Sequence, residues 1–259
     1  MDLELSGKVV LVTGSSDGLG AAVARRLVRE GARVALCARG AERLEATAAA
    51  LRADGGDVLA MPADVSKAYE LEHFVDAAQA RWGRVDGLVN NAGSAAGKPF
   101  ASVTDAEWEA DLQLKLFAAV RAARHVLPHL SASGGGSIVN VLSIRAKEPG
   151  AQSTPSSVTR AAGMALMKAL SKELGPRDIR VNAVLVGMIE SGQWEKRAQK
   201  AGKPLAELQA ELARNAGVPL GRIGKPEEFA DVVAFLLSPR AGYISGTAIN
   251  VDGGLSGAV

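Results

Sequence analysis

Thr13-Gly14-Ser15-Ser16-Asp17-Gly18-Leu19-Gly20 closes one apolar run and opens a helical one. Glycines in such a turn let the backbone bend sharply and approach a pyrophosphate, whose charge is drawn by free N–H groups and the positive end of the helix. The turn therefore predicts a dinucleotide site built on Gly14, Ser16, Asp17, Gly18, Leu19 and Gly20. The second apolar run ends in Ala38-Arg39. A carboxylate there would grip a ribose diol, whereas a guanidinium pairs bidentately with a 2′-phosphate and stacks on adenine. Arg39 thus points to NADP(H), with NAD(H) as the alternative cofactor and a solvated helix-entry residue as the plain reading.

Other chemistry-bearing residues point less far. His125 and His129 stand four apart on a helical stretch, a spacing that can bind metal, but the sequence offers no third ligand and no metal is expected. Asp105, Glu107, Glu109 and Asp111 crowd the start of the same stretch, where they favour the helix dipole; they do not read as a carboxylate dyad. The single cysteine, Cys37, lies inside Val34-Ala35-Leu36-Cys37 and reads as a small buried thiol, with no disulfide possible within one chain.

The elements that must position these residues alternate between short β-rich runs and longer helical patterns. Strands are predicted at 8–12, 33–37, 57–61, 86–89, 137–142, 179–185 and 247–251, and helices near 18–30, 40–54, 67–82, 104–131, 155–174 and 226–237. Continuous apolar runs such as Val9-Val10-Leu11-Val12 fit strands buried on both faces. The fold expected is α/β: a single-domain Rossmann fold with a doubly wound parallel sheet of about seven strands and helices on both faces, spanning 1–259. Thr104-Asp105-Ala106-Glu107 has the form of a capping box, and Thr154-Pro155 sets a cap residue before a proline at the first helical position. Gly175-Pro176 ends that helix. The weakly patterned, polar stretch 190–218 is either a lid over a pocket or a surface insertion.

Composition narrows the partners. With a net charge of +2, charges of both signs interspersed and no apolar stretch near the ~20 residues of a membrane span, neither nucleic acid nor membrane is expected. A small-molecule substrate and a cytoplasmic location are.

Beyond the first turn, Ala63-Asp64-Val65 and Asn90-Asn91-Ala92-Gly93 each follow a strand, and Arg222-Ile223-Gly224-Lys225-Pro226-Glu227-Glu228 and Asn250-Val251-Asp252-Gly253-Gly254 lie near the end. Together with the Thr-Gly-x-x-x-Gly-x-Gly spacing, these motifs make the chain resemble the short-chain dehydrogenase/reductase family over nearly its whole length, and its 3-oxoacyl-[acyl-carrier-protein] reductase-like members in particular. The resemblance implies that Asp64 and Val65 meet the adenine, and that Asn91, Ala92 and Gly93 line the pocket and brace the sheet. It implies that the loop with Gly187 and Ile189 contacts the nicotinamide, and that the chain forms a homo-oligomer: a tetramer or a dimer, with 104–131 and 155–174 at one interface.

The same resemblance fixes four catalytic positions, of which three are altered. Members use a serine, a Tyr-x-x-x-Lys pair and an asparagine; here those positions fall on Ser143, Ser156, Arg160 and Lys115. Ser156 and Arg160 keep one helix face, yet a serine is shorter than a phenol and a poor general acid, and a guanidinium binds ribose but cannot pass protons onward. Losing a positioned acid forfeits ~10²–10⁴ in rate. Lys115, crowded by Arg160 and desolvated, is the candidate replacement acid/base; the alternative is that it fills space or binds a carboxylate substrate. Tyr69 and Tyr243 are the only tyrosines. Arg145 and Lys147 would add positive charge near the substrate entrance and suit an acidic or acyl-phosphate-bearing ligand, or else stand as solvated loop cations. Two functions follow: an NADP(H)-preferring oxidoreductase with an altered proton relay, or a catalytically silent nucleotide-binding homologue acting as cofactor sensor or oligomer partner.

Overall fold

The computed structural model describes residues 1–191, 198–200 and 202–258. Its seven strands form one parallel sheet in the order β3-β2-β1-β4-β5-β6-β7. They are β1 (Val9–Thr13), β2 (Arg33–Ala38), β3 (Val58–Pro62), β4 (Gly87–Asn90), β5 (Gly136–Ser143), β6 (Ile179–Val186) and β7 (Ala248–Val251). The order reverses between β1 and β4, and at such a switch point the flanking loops separate and leave a crevice beyond the carboxyl ends of the strands.

One face of the sheet is covered by α1 (Gly18–Arg29), α2 (Ala41–Ala53) and α8 (Pro226–Leu237), with Val23, Leu27, Leu44, Leu51, Phe229 and Val233 in the core. The other is covered by α3 (Ala68–Trp82), α5 (Ala118–Ala132) and α6 (Ser156–Leu174), which bury Phe74, Val75, Ala122, Val126 and Met167. β1 is buried at every residue, as its unbroken apolar run requires. Cys37 is fully buried in the second core, where desolvation pushes its thiol up to about 12.

Two expectations need correction. The single helix expected at 104–131 is interrupted: α4 (Asp105–Leu112) passes through a π-helical turn at Gln113–Phe117 before α5 begins. The Thr104–Glu107 capping box at its start is present. Pro155 is the cap of α6 and not its first residue, because the Thr154 hydroxyl is turned away to the Lys98 carbonyl. Within 190–218, α7 (Leu205–Ala216) forms a helix that buries Ala213 against Val218 and Ile223. Residues 192–197 and 201 of the expected lid lie outside the described residues.

Candidate active site

At the switch point the glycine turn and the loop after β4 are laced together. The Thr13 hydroxyl accepts from the N–H groups of Asn91 (3.0 Å) and Ala92 (3.1 Å), and the Asn91 amide donates to the carbonyls of Thr13 and Gly14, both at 2.9 Å. So tight is this approach that a Cβ on Gly14, whose φ is +66°, would lie 2.7 Å from the Ala92 Cα. Gly18 has the opposite reason for being glycine: its φ is +55° and it faces open space at the start of α1. Asp17 caps that helix by accepting from Gly18 N at 2.7 Å.

A cleft of about 870 Å³ opens here, lined by Gly14, Ser16 and Asp17 on one wall and Asp64, Val65, Ala92 and Gly93 on the other. Its volume lies in the range of small-molecule and cofactor clefts. Arg39 and Arg43 stand at the same cleft. Arg43 is 3.8 Å from Asp17, whereas Arg39 makes no ion pair among the described residues. The donor set fits a dinucleotide: backbone N–H groups at a helix start, with guanidiniums beyond β2.

The Asp64 side of the cleft is held from α3. Glu70 accepts the Asp64 N–H at 2.7 Å and bonds Lys67 and Tyr69, and that Asp64 bond, with Lys67, holds its carboxyl down to about 2. Leu19, half-buried, packs against the core under α1. Gly187 donates to the Val251 carbonyl and has no room for a Cβ beside Asp252, while Ile189 is buried and bridges Gly224. α7 meets the other end, sharing a pocket of about 250 Å³ with Asp17, Gly18 and Glu190.

Next to this cleft, the structure brings three of the four sequence-predicted catalytic positions into one cluster and adds others. Lys115 lies in the π turn with its side chain 1% exposed. Its ammonium forms an ion pair with Asp111 and donates to Ser156 Oγ at 2.5 Å. Ser156 Oγ also accepts from Ala96 N at 3.3 Å. The second Asp111 oxygen accepts from the Thr159 hydroxyl at 2.6 Å. Arg160 donates to the Val141 carbonyl at 2.6 Å and lies over Gly93, where a Cβ would meet its Nη2 at 2.6 Å. Burial lowers the proton affinity of Lys115; Asp111 opposes that shift and Arg160 adds to it. A cavity of about 20 Å³, room for a single water, is lined by Lys115, Arg160, Asn90 and Asn140. Ser143 ends β5 half-buried, its oxygen accepting from Arg145 N at 3.3 Å.

Asp111 is the residue sequence reasoning missed. It is buried and paired, not a dipole-favouring surface acid, and its i,i+4 spacing to Lys115 was the available signal. Lys147 is not a solvated loop cation: half-buried, its ammonium reaches the Ala248 carbonyl (3.1 Å) and the Asn250 side chain (3.3 Å). Arg145 folds back over Gly150. Tyr69 and Tyr243 are exposed, far from any role as a buried acid. The histidine pair does meet a third group, because His125 lies 2.8 Å from Asp76 of α3, 49 residues away and invisible to local spacing.

Comparison with known proteins follows the same lines. A sequence model of the family described as enoyl-(acyl carrier protein) reductase matches residues 14–256. The 3-oxoacyl-[acyl-carrier-protein] reductase of Thermotoga maritima is 33% identical over 253 residues, covering 98% of this chain and 99% of that one. An NADPH-bound short-chain oxidoreductase from Pseudomonas aeruginosa, described as containing an atypical catalytic center, superposes with a TM-score of 0.92 at 40% identity over 97% of this chain and 98% of that one. The L-sorbose reductase of Gluconobacter frateurii, solved with NADPH and L-sorbose, gives 0.96 at 36% identity over the full length of both chains.

Proposed function

Because the chain belongs to the short-chain dehydrogenase/reductase family and is an oxidoreductase acting on carbonyl or alcohol groups, we propose that it prefers NADP(H) and moves its proton through Lys115 and Ser156. The bound nicotinamide supplies the hydride in reduction and accepts it in oxidation. Everything else is done by this chain. Gly14, Ser16, Asp17, Gly18 and Gly20 form the pyrophosphate turn, with Leu19 seating it on the core; Asp64, Val65, Asn91, Ala92 and Gly93 form the adenine and ribose walls; and Gly187 and Ile189 close the nicotinamide side. Arg39, with Arg43 beside it, takes the 2′-phosphate, and Arg160 keeps N–H groups free for ribose hydroxyls after spending one on Val141.

One observation carries the relay. A serine hydroxyl has two lone pairs and one hydrogen. Both lone pairs of Ser156 are taken, by Lys115 and by Ala96 N, so its hydrogen is what it offers outward. In reduction, the substrate oxygen, held by Ser143, takes that hydrogen as negative charge develops; Ser156 recovers a proton from the Lys115 ammonium, which becomes a neutral amine and is reprotonated from solvent. Oxidation runs the sequence backwards. Serine alone is too weak an acid for this, but as a conduit for a lysine it need only pass a proton in each direction.

The test is a fluorescence titration with NADPH and NADH, followed by a screen of ketones and secondary alcohols with wild type and Lys115→Ala. Tighter NADPH binding and turnover that collapses in the variant are expected. Turnover unaffected by Lys115→Ala would remove the relay, and binding with no turnover of any substrate would favour the silent cofactor sensor.

A further inference from the structure

The geometry points to Asp111 as the positioning residue of this site, one that keeps Lys115 charged and aimed at Ser156 and so fixes the pH range over which the chain gives or takes a proton. The inference rests on the relay proposed above and concerns a residue outside it.

Four observations converge. Asp111 and Lys115 are an i,i+4 pair whose side chains are 4% and 1% exposed, so neither charge is tolerable without the other. The carboxylate is divided: one oxygen holds the ammonium, and the other is pinned by Thr159, a residue of α6 that is itself buried. Thr159 follows Ser156 by three positions on α6, and its single hydroxyl hydrogen goes to the carboxylate at 2.6 Å in preference to the Ser156 carbonyl at 3.0 Å, so α6 carries both the serine and the group that pins Asp111. Finally, the π turn begins directly after α4 and lets the lysine reach across to Ser156 while Asp111 remains one turn behind it.

The charged groups facing Lys115 among the described residues are Asp111 on its own helix and Arg160 from α6. β4 and β5 present only Asn90 and Asn140, which do not titrate, and the loop after β4 presents the Ala96 N–H to Ser156. With burial and Arg160 both pushing Lys115 toward the neutral amine, Asp111 is the single group that opposes them. Its loss extends the neutral form to lower pH. Reduction, which consumes the ammonium proton, then fails at lower pH than in wild type; oxidation, which needs the free amine, becomes active at lower pH.

The experiment uses the full chain as wild type, Asp111→Asn, Lys115→Met and the double variant. Lys115 is titrated through the pH dependence of its Cε chemical shift in carbon-13 NMR, and kcat/KM is followed against pH in both directions with NADPH and 2,3-butanedione, and with NADP⁺ and 2,3-butanediol. Asp111→Asn should move the Lys115 midpoint down. On the alkaline limb its reduction rate at fixed pH should fall about tenfold or more, with oxidation gaining at neutral pH. NADPH affinity serves as the check that the fold is intact. In the Lys115→Met background, Asp111→Asn should cost nothing further, since the residue acts only through the lysine. The double variant also removes both buried charges together and so remains foldable if Asp111→Asn alone is not.

An unmoved Lys115 midpoint, or an equal loss in both backgrounds, would overturn the inference and leave Asp111 a structural residue. If Lys115→Met itself is fully active, the relay falls, and the catalytic part of the inference falls with it. If neither probe is turned over, the Lys115 midpoint alone decides whether Asp111 sets the lysine's charge.

Discussion

Lys115→Met takes away the ammonium that touches Ser156 and leaves the cofactor cleft untouched, so kcat for carbonyl reduction should fall by ~10²–10⁴ while the NADPH Kd stays close to wild type. Stopped-flow turnover and fluorescence titration separate the two. Arg39→Asp addresses the other end of the cleft. Charge-assisted hydrogen bonds to a 2′-phosphate are worth about 2 kcal/mol, so NADPH should bind roughly 30-fold more weakly, and NADH more tightly because the new carboxylate can accept from the ribose diol. Parallel titrations with the two cofactors measure the switch. At this scale the sequence was informative wherever a motif set the register: Ser156, Arg160 and Lys115 were located by counting and meet as counted. Asp111 was not found because acids at a helix start are ordinarily explained by the dipole, and its i,i+4 spacing to Lys115 gains meaning only once both side chains are seen to be buried.

At the scale of elements, strand boundaries were legible to within about a residue because apolar runs between turn residues leave little freedom, as Val9-Val10-Leu11-Val12 of β1 shows. The break between α4 and α5 was not, since 3.6-residue periodicity fits both halves and the extra residue is absorbed inside Gln113–Phe117. The loop between β3 and α3 gives a prediction of its own. Glu70 holds the Asp64 N–H with a carboxyl lowered to about 2, against an ordinary value of 4.5. Its contribution to stability is therefore complete above pH ~4.5 and is lost as pH falls through about 2. Glu70→Gln should flatten the pH dependence of Tm across that window and weaken nucleotide binding at neutral pH, both read by thermal denaturation with and without NADPH. In the glycine turn, Gly14→Ala combines a left-handed φ with a clash against Ala92, so a loss of more than ~1 kcal/mol in chemical denaturation should accompany loss of nucleotide binding.

Considered whole, the chain places its two hydrophobic cores on opposite faces of one sheet and its chemistry at the single edge where the strand order reverses. No helix among the described residues is long and apolar enough to cross a membrane. The helices expected at a subunit interface leave large apolar side chains outward: Phe117 at the end of the π turn and Val158 on α6 are 41% and 48% exposed. Light scattering after size exclusion should return a multiple of the 26.7 kDa chain, a tetramer or a dimer, and Val158→Asp should lower that multiple. Sequence patterning can locate such faces only after the buried stripe of each helix is known, which is why that expectation came from resemblance.

The widened turn that carries Lys115 also means that the charge in this pocket is written in backbone length as much as in side-chain identity. Excising one residue between Gln113 and Phe117 would let the two flanking segments join as an uninterrupted α-helix, each still seated on its own partners, with the amine swung away from Ser156. A single-codon deletion should therefore part the lysine from Ser156 without altering the nucleotide cradle.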